Sequence, residues 1–233
     1  IMVKLIQSFK LIKYRKSIFT IFLFLNFIFS HQTFASETYG DAMNWYKNNG
    51  SAYNPKQNYL LGLKAEHEGE IIKALEYFRN ASNNDLTKAQ IKLSSLLIKS
   101  NNSDHKIEAR KIFQKLFQKN NPEATLKLGW MYEKGIGGNK DDLKAIQLYK
   151  LAASMQEYQA YLALANLSLA NADGKNNIIE AIGYTSIAKD KNVPGAEEFL
   201  NNLMPLIERN ELADLELLIS SLESEISKLK ITE

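Results

Sequence analysis

Apolar and small residues in this chain recur at three- and four-residue spacing in blocks of about a dozen positions, each closed by a polar turn. In the block 122–135 (PEATLKLGWMYEKG), Ala124, Leu128, Met131 and Tyr132 fall on one helical face. Pro122 suits a first helical turn, where its missing N–H is not needed. Gly135, Gly137 and Gly138 end that helix, and Asp141 or Asp142 offers an N-cap for the next. The next block, 143–154, places Ala145, Leu148, Tyr149, Ala152 and Ala153 on one face. The pattern predicts two antiparallel helices joined by a glycine turn.

The pair repeats. Ala74, Ala109, Ala145 and Ala181 are spaced by 35, 36 and 36 residues, and Ala89, Ala124, Ala160 and Ala196 follow the same intervals. Units are predicted at 55–82, 87–118, 122–154 and 158–190, with a degenerate fifth starting near Pro194. Small residues explain the period, because two helices approach closely only where side chains are short. Gly62 with Ala74 and Ala81, Ser94 with Ala109, Gly129 with Ala145 and Ala152, and Ala165 with Ala181 and Ala188 take that part. Phe78, Phe113, Tyr149 and Tyr184 recur as their large partners. Residues 36–54 form a polar lead-in, in which DAMNWYKN could add a short helix. The repeat array covers 55–200. In 201–233, Leu212, Leu215, Leu218, Ile219, Leu222, Ile226 and Leu229 predict one long amphipathic helix that caps the stack.

The third unit resembles a Sel1-like repeat, a relative of the tetratricopeptide repeat. Leu128, Gly129, Tyr132, Gly135, Gly137, Asp142, Lys144, Ala145, Tyr149, Ala152 and Ala153 carry the resemblance. Leu148-Tyr149 stands where the family usually has Trp-Tyr. The first unit, with its shorter HEGE loop, looks more like a tetratricopeptide repeat, and units two and four lack the glycines. With the periodicity, the resemblance implies an all-α, right-handed α-solenoid of about four helix-turn-helix units. It also implies a non-enzymatic scaffold that binds another protein. Exported bacterial proteins of this kind are associated with host-cell interaction, envelope assemblies and control of cell-wall enzymes.

The ends and the charge refine this picture. Lys4, Lys10, Lys13, Arg15 and Lys16 precede the apolar run Ser17–Phe29, and Thr33 and Ala35 supply small side chains before Ser36. Residues 1–35 therefore read as a signal peptide cleaved after Ala35, giving a periplasmic or secreted product with no membrane association after cleavage. The run is short for a permanent anchor. Those 35 residues hold five of the 29 basic side chains and no acid, leaving 24 basic against 26 acidic residues. A weakly acidic body gives no electrostatic case for nucleic acid. With no cysteine, disulfides and thiolate metal sites are excluded and no acylated-cysteine anchor is expected, so apolar packing must hold the fold.

Candidate chemistry is sparse. A phosphate loop needs a preceding strand or a helix N-terminus placed to meet the anion. Here a helix precedes the glycines and two aspartates follow Lys140, so the glycines make a turn. His67 among Glu66, Glu68 and Glu70 lacks the one-face spacing of a metal site. His105 reads as a loop residue, and no catalytic residue, cofactor or metal is expected. The first helix of each unit is expected to line a groove displaying Lys56, Tyr59, Lys88, Ile91, Glu123, Trp130, Gln159 and Asn166. Of these, Tyr59, Lys88, Glu123, Trp130, Gln159 and Asn166 are the candidate partner-binding residues, because aromatics mixed with amides and few charges suit an extended peptide. The competing explanation is that Tyr59 and Trp130 pack between units. A rival docking element is the stripe Leu215, Leu222, Ile226 and Leu229. The alternative function is an accessory or regulator of a cell-wall enzyme or envelope machine.

Overall fold

The computed structural model describes residues 54–170, 175–207 and 214–229. The signal segment, the lead-in before Asn54 and Leu212 lie outside the described residues. Ten α-helices run through them: α1 Pro55–His67, α2 Ile71–Ser82, α3 Thr87–Lys99, α4 Ser103–Gln118, α5 Pro122–Lys134, α6 Asp142–Ser154, α7 Gln159–Ala170, α8 Lys175–Asp190, α9 Ala196–Leu203 and α10 Leu215–Ser227. A 3₁₀ turn, Met204–Leu206, follows α9. The fold is all-helical, in consecutive helix pairs at the predicted boundaries. The chain divides after Asn84 into two compact units.

The first unit contains α1 and α2. Asn54 accepts from the Gln57 N–H at 2.9 Å, and Gln57 Oε1 accepts from the Asn54 N–H, closing a capping box ahead of Pro55. A Cβ on Gly62 would stand 2.6 Å from the Phe78 ring, so the two helices meet at that distance only because position 62 is glycine. Ala74, Phe78 and Ala81 are fully buried. The same lock recurs in the third helix pair, where a Cβ on Gly129 would stand 2.7 Å from the Tyr149 ring. Ser94 and Ala165 take the small position in the other pairs and are fully buried, as is Phe113, while Tyr184 is nearly so. Buried Ser94 stays satisfied by donating to the Gln90 carbonyl at 2.8 Å. The small residue therefore makes room for the aromatic partner as well as for the alanines opposite.

The turns that link one pair to the next are equally regular. Asp85, Asn120, Gln156 and Asn192 adopt positive φ of 55–69°, spaced by 35, 36 and 36 residues. Asn and Asp are the side chains that best tolerate this left-handed conformation. The repeat thus fixes its turns as well as its helices.

Past the fourth pair the pattern departs from expectation. The degenerate fifth unit is the short α9, with Ala196 and Leu203 buried, and α9 packs on α8. The terminal helix α10 is shorter than the stretch predicted from the stripe and packs on both α8 and α6, the second helices of the last two pairs. Leu222 and Ile226 are buried, and Leu215, Leu218 and Ile219 pack partly buried against the same core. Lys150–Glu225 at 2.7 Å and Lys191–Glu223 at 3.3 Å flank this contact. The stripe offered as a docking element is mostly internal packing.

Candidate protein-binding surface

The repeat register places Lys88, Glu123 and Gln159 at one position of successive first helices α3, α5 and α7, and all three are exposed. Trp130 and Asn166 share a second register position, with Ser95 as their counterpart on α3. Asn166 is exposed, while Trp130 is half-buried and packs against the core that contains Leu126, Tyr161 and Leu164. Helices α5 and α7 touch directly, so Trp130, Gln159 and Asn166 lie on neighbouring elements. Among the described residues no acceptor meets the Trp130 indole N–H, which leaves a rigid aromatic with a free polar edge. Asn166 turns its amide back to the Leu162 carbonyl at 2.8 Å. Tyr59 lies in the first unit, half-buried and tilted against Phe78 with ring centroids 5.8 Å apart. It serves packing there. Ile91 is half-buried and Lys56 exposed.

One end of the α5–α7 surface is acidic. Burial pushes the Glu157 carboxyl above its ordinary range, and the negative charge of Glu123 adds to that push. Lys127 and the Gln159 N–H oppose the shift without cancelling it.

Of the histidines, His67 is the last residue of α1 and exposed. His105 is not a loop residue: it sits in the first turn of α4, with Nδ1 2.9 Å from Ser100 Oγ. Asn102 caps that helix by accepting from the Asp104 N–H, so the helix starts earlier than the polar run NNSDHK suggests.

The glycine cluster is a turn, as expected, and its partner is a residue that sequence reasoning missed. Gly135 ends α5 in the left-handed conformation, φ +64°, with its N–H on the Met131 and Tyr132 carbonyls. Asp141 then caps α6 by accepting from the Lys144 N–H at 2.9 Å. Between them the loop rests on α4 of the preceding pair. A Cβ on Gly137, at φ +70°, would stand 2.3 Å from the Lys106 carbonyl oxygen, and one on Gly138 would meet Arg110 Nη1 at 2.3 Å. Arg110 donates to the Ile136 and Asn139 carbonyls at 3.4–3.5 Å and lies over the Tyr132 ring, 3.8 Å from its centroid. Lys144 approaches the same ring at 4.8 Å. Burial pushes the Tyr132 phenol up, but Lys144, Gln114 and Arg110 at its oxygen outweigh that and lower it overall. Ile107, Arg110, Lys111 and Gln114 on α4, Tyr132, and loop residues 137–141 enclose an open cleft of about 510 Å³.

A signal for Arg110 existed. The residue after the periodic alanine is Leu75, Ile146 or Ile182 in the other units, and only the second unit has a charge there. That unit precedes the only long glycine loop, and the two features are one contact.

The comparisons agree with this architecture. The Sel1 repeat profile matches residues 57–86 and 122–156, which include the Gly62–Phe78 and Gly129–Tyr149 locks. Among solved structures, the fold is similar to a protective antigen present in uropathogenic Escherichia coli strains, which displays an SLR fold. That match has a TM-score of 0.62 at 21% identity and covers 82% of this chain and 44% of that one. The chain thus spans less than half the length of that protein. A Sel1 repeat protein from Oxalobacter formigenes matches with a TM-score of 0.55 at 23% identity, over 74% of this chain and 72% of that one. No curated protein matches the sequence. The class is an α-helical repeat protein built of paired helices. Within that class, two of the chain's helix pairs match the Sel1 repeat, and Sel1 repeats are generally protein–protein interaction scaffolds, typically without catalysis.

Among the described residues, no helix is long and apolar enough to cross a membrane, and no three His, Asp or Glu side chains gather as metal ligands.

Proposed function

We propose that this chain is an exported adaptor, cleaved after Ala35, that holds an extended segment of another protein across the first helices α5 and α7. The observation that carries the reading is Trp130, half-exposed with an unpartnered indole N–H, with exposed Gln159 and Asn166 on the adjoining α7. Interface energy concentrates in a few large side chains of this type, ringed by polar contacts that exclude water. Supporting it, α10 already covers α6 and α8, so the second helices of those pairs are engaged by the chain itself.

The test places a photo-crosslinking residue at Gln159, at Asn166 or at exposed Lys189 on α8. Adduct to one and the same protein from positions 159 and 166, absent at 189, is expected. Equal labelling from all three positions would remove the assignment of the surface. Export is tested separately: N-terminal sequencing of the mature product should begin at Ser36, and retention of Ser17–Phe29 would make the chain an anchored protein instead.

A further inference from the structure

Arg110 is 93% buried, since only 7% of its surface is exposed, yet among the described residues no carboxylate pairs with it. Its guanidinium is held by long hydrogen bonds to the Ile136 and Asn139 carbonyls and by the Tyr132 ring. Buried charges are ordinarily paired, because carbonyl dipoles replace the lost hydration only in part. Arg110 forms a wall of the open cleft between α4 and the glycine loop, and Lys111 and Lys140 line the same cleft. Of the acids nearby, Asp141 accepts the Lys144 N–H as a helix cap, and Asp142 takes Lys140 at 2.8 Å through Oδ2 while its Oδ1 is buried without a partner. The lining carries Arg110, Lys111 and Lys140 against Asp141, an excess of positive charge, with a fork-shaped donor in its wall. Ile107, 40% exposed, supplies an apolar edge beside it, and Gly137 and Gly138 present backbone without side chains.

We infer that this cleft is a second binding site, which takes the carboxylate of an extended acidic peptide segment from a partner protein. The carboxylate sits against Arg110 and Lys111, and a neighbouring apolar residue packs on Ile107. A carboxylate matches the planar guanidinium fork, and the apolar edge favours a peptide over a free anion. The inference stands apart from the α5–α7 surface and survives its failure. It also gives the paired appearance of Arg110 and the long glycine loop a purpose: together they build the cleft.

The test titrates isotope-labelled full-length protein with a short peptide of alternating glutamate and leucine, as free acid and as C-terminal amide. A lysine–leucine peptide and inorganic phosphate serve as further probes. The expected result is that the glutamate peptides shift the Gly137 and Gly138 amides and the Arg110 side-chain signal, weakening as salt rises. Equal effects of acid and amide assign the site to acidic side chains, and a preference for the free acid assigns it to a C-terminal carboxylate. Because Arg110 is buried and its replacement could unfold the pair, the mutational arm uses exposed Lys111. Lys111→Glu should weaken the peptide about tenfold, since an attraction becomes a repulsion, at an unchanged melting temperature. Silence of these signals with the glutamate peptides, equal response to the lysine peptide, saturation by phosphate alone, or an affinity indifferent to Lys111→Glu would overturn the proposal.

Discussion

Gly137 and Gly138 adjoin in the chain but should answer differently to the same added methyl. At Gly137 the methyl meets the Lys106 carbonyl oxygen, which is backbone, and the φ of +70° is itself strained for alanine. Gly137→Ala should cost about 3 kcal/mol. At Gly138 the obstacle is Arg110 Nη1, the far end of a flexible side chain. Gly138→Ala should cost about 1 kcal/mol and displace the guanidinium from the loop carbonyls. Urea unfolding of the two variants distinguishes these values, and equal costs would mean that the loop does not rest on α4 as described. Glu157 gives a pH test. Its folded carboxyl titrates above its unfolded value, so the folded state holds this proton more tightly. The penalty is full at neutral pH and disappears as pH falls through the raised value toward the ordinary glutamate range. Glu157→Gln should raise the melting temperature at pH 7, and the difference from wild type should close in mild acid. A variant that is less stable at pH 7 would show that Glu157 caps α7 more than it repels Glu123.

The helix pairs were legible because their packing rule is local and repeated: one small residue, one aromatic, two alanines, at fixed offsets. Gly129 and Tyr149 could be read as partners from spacing alone, and they are. The left-handed turn at Asp85, Asn120, Gln156 and Asn192 was equally periodic in the sequence. It passed unread because polar turn residues carry a weaker pattern than alanines. Arg110 was missed for a different reason: its contacts lie 26 and 29 residues away, in the next pair, and helical periodicity reports only neighbours on one helix. The stripe of α10 was seen, but amphipathicity does not say which surface a helix will cover. Of its apolar positions, Leu222 and Ile226 face the core, while Leu217 is 73% exposed. Leu222→Ala should therefore cost about 2–4 kcal/mol, whereas Leu217→Ala should be nearly silent. Thermal melts of the two variants check this, and the reverse order would place α10 elsewhere.

At the scale of the molecule, Sel1-like pairs supply preformed helical surfaces, and function depends on which side chains those surfaces display. The candidate residues were only partly legible for that reason. Register gave Lys88, Glu123, Gln159 and Asn166 as exposed, but it could not separate display from packing for the aromatics. Tyr59 packs tilted against Phe78, while Trp130 is divided between core and surface. The central claim is that Trp130 anchors a partner. It is tested most directly by measuring the affinity of the crosslinked partner for Trp130→Ala, Lys88→Ala and Gln159→Ala, with a melting curve for each. The largest loss, roughly tenfold or more, is expected for Trp130→Ala, in protein still folded at the temperature of the measurement. Unchanged affinity in a folded Trp130→Ala variant, or a loss that only tracks its unfolding, would contradict it.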